Sequence, residues 1–406
     1  MTVTQKSRAS SSVAEPLAAL SRRVVAVDVI RGLIMIIMAL DHTRDFFSNA
    51  LVNPTGPTQS WPMLFFTRWI THLCAPGFVA LAGTSIYLQR KRGRTRGQTA
   101  QRLATRGLWL LFVEVAIVSP GLFFTYHFHF LQVIYAIGGS MILLAALQYL
   151  PTPWVAAYGF AMVALHNLAD RVSPDHLSHG AAAWKLLLSG GAFLDHGRLW
   201  ALDVYPVLPW SGVMALGFAF GAVVALPGQK RRARSLWLGL GALALFVALR
   251  LANVYGDPQP FQYLRTAQQT AMSFLNVTKY PPSLEYVCVT LGVLLVLFAL
   301  ADSLLERQRM LPALQVVEIY GRVPFFYYVV HFYTLHLLSL FVVMFAQHSI
   351  HVHPPTPIFN PPPPGAGFGL PIVYLIWACV VAALYLPCRW FAGVKARRRD
   401  WWLSYL

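Results

Sequence analysis

The stretch VVAVDVIRGLIMIIMALDHTRDFF, residues 24–47, is long and apolar enough to span a membrane, yet it carries Asp28, Arg31, Asp41, His42, Arg44 and Asp45. Ionisable side chains at membrane depth are costly and face a protein interior or a wet cavity, so these six residues mark a candidate functional site. At about 100° per residue, Asp28, Arg31, Met35, Met38, His42 and Asp45 step by threes and fours along one helical face. Arg31 and His42 stand three turns apart, roughly 16 Å, on nearly one azimuth. The pattern predicts a polar slot running through a membrane. The bland alternative is a solvated helix end around His42, anchored among lipid headgroups.

The rest of the chain fits that setting. Of 406 residues, 57% are hydrophobic and 12% charged, well below the roughly one-quarter charged residues of soluble domains. An all-α polytopic membrane bundle is predicted, because each span must satisfy its backbone internally and the apolar runs are too long for barrel strands. At about 20 residues per span, ten runs qualify: 24–47, 64–89, 107–124, 129–150, 153–169, 205–227, 235–253, 284–305, 323–346 and 370–391. Basic clusters follow every alternate span except the fourth, whose short Pro151 to Pro153 turn has none: Arg90 to Arg96, Lys230 to Arg234, Arg307 with Arg309, and Lys395 to Arg399. The positive-inside rule puts those segments, and both termini, in the cytoplasm. Residues 1–23 then read as a disordered cytoplasmic tail, 24–394 as the membrane domain and 395–406 as a basic tail. The formal charge of +17 is thereby topology, not a nucleic-acid footprint, since the arginines sit at membrane boundaries without interleaved aromatic platforms.

Counted from residue 25, Arg31 lies roughly 9 Å into a core about 30 Å thick, and His42 roughly 25 Å, so the slot's two ends face different compartments. Asp41 and Arg44 can pair at this spacing, and Asp45 is predicted to accept the His42 ring N–H and fix its tautomer, the usual preparation for a general base. Arg68 and His72 share one face of the second span; His127, His129 and Gln132 open the fourth; His331 lies in mid-membrane, with His336 further out. Glu114, at mid-depth on the third span, is expected to partner a buried Arg or His or to form a structural ion pair. Gly217 and Gly221 form a small-xxx-small pair suited to close helix packing.

Cys74, Cys288, Cys379 and Cys388 stand singly and suggest neither a zinc site nor a disulfide framework. Histidines 348, 351 and 353 fall in or beside a Pro-rich segment with no nearby carboxylate or thiolate, a poor metal site, as are His176 and His179. No metal is expected.

Residues 27–47, together with THLCAPGFVALAGTS (71–85), YPVLPWSGVMALGFAFG (205–221), RVPFFYYVVHFYTLHLL (322–338) and the closing WFAGVKARRRDWWLSYL, resemble the bacterial relatives of the heparan-alpha-glucosaminide N-acetyltransferase catalytic domain. Arg31 and His42 also reproduce the Arg-x10-His spacing of membrane acyltransferases that O-acetylate bacterial surface glycans. The resemblance implies a bacterial inner-membrane protein that moves an acyl group from cytoplasmic acetyl-CoA or another acyl-CoA to an extracytoplasmic hydroxyl or amine on a sugar or glycan. On that reading His42, oriented by Asp41 or Asp45, takes the acceptor proton or the acyl group itself, with His331 in reserve. Arg31 and Asp28 fall to the cofactor, and Arg68, His72, His127 and Gln132 to the acceptor. A proton-coupled transporter would also bury Asp, Arg and His in a bundle and remains the rival expectation. Beyond the bilayer and the acceptor, a homodimer is left open.

Overall fold

Helix α1, Val25–Phe47, opens the described chain and packs against several of the later helices. A computed structural model of the chain describes residues 24–177, 179–306, 312–347, 367–398 and 400–404. After α1 come α2 (Pro62–Ile70) and α3 (Cys74–Lys91), joined through a tight turn at Thr71–Leu73. Pro76 explains that turn: it has no N–H to give the carbonyl of His72. The Tyr286 hydroxyl takes that carbonyl instead, at 2.9 Å.

Helix α4 (Arg96–Val113) opens on a capping box between Thr95 and Gln98 and continues through a wide π-turn, Glu114–Val118, into α5 (Ser119–Phe123). The register change falls where Pro120 denies Ala116 its amide partner. Strand β1 (His129–Leu131) leads into α6 (Val133–Leu147), and α7 (Thr152–Leu165) follows. A short α8 (Ala181–Trp184) precedes the hairpin of β2 (Gly191–Asp195) and β3 (Arg198–Asp203). Its two-residue turn, His196 and Gly197, has positive φ at both positions, as a twist-matched hairpin turn requires. The sheet order is β1-β3-β2, with β1 parallel to β3.

The remaining helices are α9 (Val207–Val224), α10 (Gly228–Ala252), α11 (Ala267–Leu275), α12 (Leu284–Glu306), α13 (Pro312–Arg322), α14 (Pro324–Gln347) and α15 (Leu370–Arg397). Around α1 stand α3, α12, α13, α14 and α15. The crossing with α13 is backbone on backbone: a Cβ on Gly32 would lie 1.8 Å from the Val317 carbonyl oxygen, and one on Gly321 would lie 1.8 Å from that of Asp28. Gly217 and Gly221 do for α9 what their spacing predicted, packing onto Ala80 and Tyr87 of α3. Helices α10 and α15 turn Trp237, Leu251, Leu375 and Trp390 outward, an apolar face that suits lipid.

Among the described residues, seven helical segments have the length and apolarity to cross a membrane. Helices stand at all ten predicted positions, but α6 and α7, with 15 and 14 residues, are short, and α1 is rich in charge. Three elements differ from the sequence expectation. The hydrophilic stretch 170–204 contains a β-hairpin, α13 forms ahead of the ninth predicted span, and the fourth begins at Val133 because residues 129–131 pair with β3. The tail 1–23, Arg307, Arg309, Arg399, histidines 348, 351 and 353, and most of the Pro-rich segment lie outside the described residues.

Candidate active site

Two cavities flank the middle of α1. The first, about 280 Å³, is lined by Arg31 and Met35 of α1, by Ser85 and Gln89 of α3, and by Arg106, Arg322, Tyr328 and Lys395. Arg31 is held in place from three sides: Nη1 donates to Asp28 Oδ1 at 3.0 Å and to the Gly321 carbonyl at 3.2 Å, and Nη2 donates to Ser85 Oγ at 2.8 Å. The backbone contact between Gly32 and Gly321 is what brings that carbonyl within reach. An adjoining cleft shares Gln89 and Arg106 with the first cavity and adds Arg94 and Arg102. The result is a run of cationic side chains leading to Arg31, the pattern that binds phosphate groups.

The second cavity, about 70 Å³, is lined by Asp41, His42, Asp45 and Phe46 of α1, with Gln132, Tyr205, Lys279, Tyr280 and Phe332. No residue lines both cavities. Their walls are nonetheless adjacent, since Gln132 faces one and Val133 the other, as do Phe332 and Tyr328 on α14.

In the wall of the second cavity His42 Nδ1 lies 2.7 Å from His331 Nε2, and His331 Nδ1 lies 2.8 Å from the Tyr327 carbonyl oxygen. The partners dictate the protons. A carbonyl only accepts, so His331 carries its hydrogen on Nδ1 and presents the lone pair of Nε2. His42 must then donate from Nδ1, which leaves a lone pair on its own Nε2. That atom has no hydrogen-bond partner among the described residues, and His42 lines the cavity. A backbone carbonyl and a second imidazole thus perform the tautomer fixing that a carboxylate performs in a Ser-His-Asp triad.

Asp45 does not take the part expected of it. Its carboxylate is 2.5 Å from Arg44 Nη2, while the His42 Nδ1 that it was to accept faces α14. Asp41 is engaged likewise, between Arg44 at 3.0 Å and Arg68 at 2.9 Å. Both carboxylates line the cavity as ion-paired groups. Arg68 is buried, bonded to Asp41 and Thr71. Of the residues assigned to the acceptor, Gln132 lines this cavity, whereas His72 and His127 do not. His72 is packed edge-on to Tyr286, and His127 is exposed in the turn before β1. Glu114 partners neither Arg nor His: it accepts the backbone N–H of Tyr135 at 2.9 Å, where α6 begins and amides lack intrahelical partners. His336 is bonded to the Gly121 carbonyl and stacked on Phe124.

Sequence reasoning missed Lys279, Tyr280 and Tyr205. The first two belong to the connection between α10 and α12, which appeared only as an outer loop. That loop is pinned by Arg250, whose guanidinium donates to the carbonyls of Gln259, Ser273, Phe274 and Asn276 and to Glu285. Asp257 fixes its far end, accepting from the Thr278 N–H at 2.7 Å and hydroxyl at 2.8 Å and from Ser283 at 2.6 Å. A lysine flanked by apolar residues and tyrosine, NVTKYPP, was the available signal.

Among curated proteins, no match to the chain is found. The sequence profile of one family does match, over residues 23–251, more than half of the chain and the part that holds α1, Arg94, Arg102, Arg106 and Gln132. The chain belongs to the family described as heparan-alpha-glucosaminide N-acetyltransferase, catalytic.

Proposed function

We propose that the chain is an acyl-CoA-dependent acyltransferase of the bacterial inner membrane. With ten crossings and both termini in the cytoplasm, the Arg31 cavity opens inward and the His42 cavity outward. Acyl-CoA then enters from the cytoplasm. Its phosphates meet Arg94, Arg102 and Arg106, and its pantetheine arm runs past Arg31 and Met35, which line the first cavity. The acceptor enters the second cavity beside Gln132 and His42.

The observation that carries the reading is the Tyr327–His331–His42 chain, which leaves an unprotonated Nε2 in the wall of the second cavity. Two routes use that lone pair. In the direct one, the acceptor hydroxyl or amine forms its bond to the thioester carbon as the C–S bond breaks. Its proton passes to His42 Nε2 and from there to the departing CoA thiolate. In the other, Nε2 attacks the thioester carbon and CoA departs as the thiolate; the acceptor then bonds to the acyl carbon as its bond to Nε2 breaks, and the acceptor's proton passes to the freed Nε2 and on to the thiolate. The apolar wall residues Phe332 and Tyr328 keep bulk water from competing.

The test is release of free CoA by the purified protein given acetyl-CoA, with and without a panel of sugars. Acceptor-dependent release, abolished by His42→Ala in a variant that still binds CoA, is the expected result. Retained turnover in that variant removes the role from His42. The closed partition also suits a transporter seen between its two open states, and that reading predicts gradient-dependent uptake with no CoA released.

A further inference from the structure

The His42 cavity holds one more cation than its carboxylates use. Asp41 is shared by Arg68 and Arg44, and Asp45 is held by Arg44. Lys279 lines the same cavity, is only 8% exposed, and belongs to none of the ion pairs formed by the described residues. With both histidines neutral in the relay, three cations face two carboxylates. An uncompensated ammonium is disfavoured in a low-dielectric site, so a position that fixes one there points to an anion that arrives with a ligand.

The surroundings agree. Lys279 Nζ lies 5.8 Å from the ring centre of Tyr205 and 5.0 Å from that of Tyr280, faces that soften the charge without cancelling it. Burial alone would raise the Tyr280 phenol, but the charges of Lys279 and Arg68, together with a side-chain hydrogen bond from Lys279, draw it below the ordinary tyrosine value. The excess positive charge therefore already acts on its neighbour. The lysine is also held in position, because the residue before it is tied to Asp257 through both backbone and side chain.

We infer that Lys279 anchors a carboxylate of the acyl acceptor, so that the preferred acceptors are sugar acids or comparable hydroxy acids rather than neutral sugars. This rests on the acyltransferase reading for the transfer itself, but not for the binding. Lys279 and His42 line one small cavity, so an acid held by the ammonium sits in the same cavity as Nε2.

The probes are glucuronic acid and glucose, which differ only at C6. Wild-type protein in nanodiscs with acetyl-CoA is expected to favour glucuronate in kcat/KM by about tenfold or more, the usual range for a hydrogen bond to a charged group. Lys279→Met should bring that ratio towards one, and Lys279→Arg should keep most of it. A wild-type ratio at or below one, or a ratio unmoved by Lys279→Met, overturns the inference. Binding is read separately by thermal stabilisation without acetyl-CoA. Stabilisation by glucuronate and not by glucose, lost in Lys279→Met, supports the anchor even where no CoA is released, the result that sinks the acyltransferase reading alone. Equal stabilisation by the two sugars overturns it.

Discussion

His42 on α1 and His331 on α14 are joined by a hydrogen bond of 2.7 Å across 289 positions of sequence. The bond sets which nitrogen of His42 is basic, and it does so from a residue whose own tautomer is set by the backbone of Tyr327. On the proposed mechanism His331 acts as a positioning residue, and its removal should cost catalysis rather than substrate binding.

His331→Ala is expected to lower kcat by about 10²–10⁴, the span typical of general acid–base assistance, with little change in KM. His331→Gln presents an amide oxygen to His42 Nδ1 and should recover part of the loss. Steady-state CoA release, with thermal melts to show that both variants fold, checks this. Equal activity of the two variants denies the positioning role.

The cationic run should govern the donor and not the acceptor. Arg106→Gln and Arg322→Gln are each expected to raise KM for acetyl-CoA by about tenfold, consistent with the loss of one charge-assisted hydrogen bond to phosphate. KM for the acceptor should stay put. Calorimetric titration with CoA at two ionic strengths provides a second check, since wild-type affinity should fall as salt rises.

The Asp41–Arg68 pair ties α1 to α2 inside the bundle, with both side chains largely buried. Arg68→Met should destabilise by about 3–5 kcal/mol, because it leaves a buried carboxylate with one partner fewer. Removing both charges, as Asp41→Leu with Arg68→Met, should cost less than the single change. Denaturation in detergent of the two single variants and the double variant measures the coupling.

Asp203, at the end of β3, accepts the Tyr205 N–H at 2.8 Å, and burial pushes its carboxyl up to about 8 from the usual 3.8. The folded state therefore binds a proton that the unfolded chain releases. Its contribution to stability is complete below the unfolded value and is lost as pH rises through the folded one. Melting temperature should fall between about pH 4 and pH 8 and level off beyond. Asp203→Asn should flatten that slope, as scanning calorimetry across the range would show.

How far the sequence revealed this arrangement depended on what kind of relation was involved. Charges on α1 were legible because lipid permits no bland explanation for Arg31, and helical periodicity fixed the azimuth it shares with His42. The Arg31–Asp28 pair and the packing of Gly217 follow from spacing within one element. The bond between His42 and His331 does not, since periodicity relates residues of one helix and says nothing about which helices meet. Asp45 was misassigned for the same reason: proximity in sequence favoured it, but Arg44 holds its carboxylate and α14 supplies the real partner. Lys279 was hidden in a connection whose hydrophilic composition conceals the burial that Arg250 and Asp257 impose on it. Three-residue β1 is too short for any period to register, and its pairing with β3 reaches across 72 residues from His129 to Ala201.

The two cavities that end back to back without a common wall residue bear on the energetics of the cell as well as on catalysis. A continuous file of water beside α1, with its carboxylates and imidazoles, would conduct protons and run down the gradient on which the membrane depends. A partition between the two cavities avoids this. On the proposed acyltransferase reading, an acyl group is handed across it while the bilayer stays electrically tight.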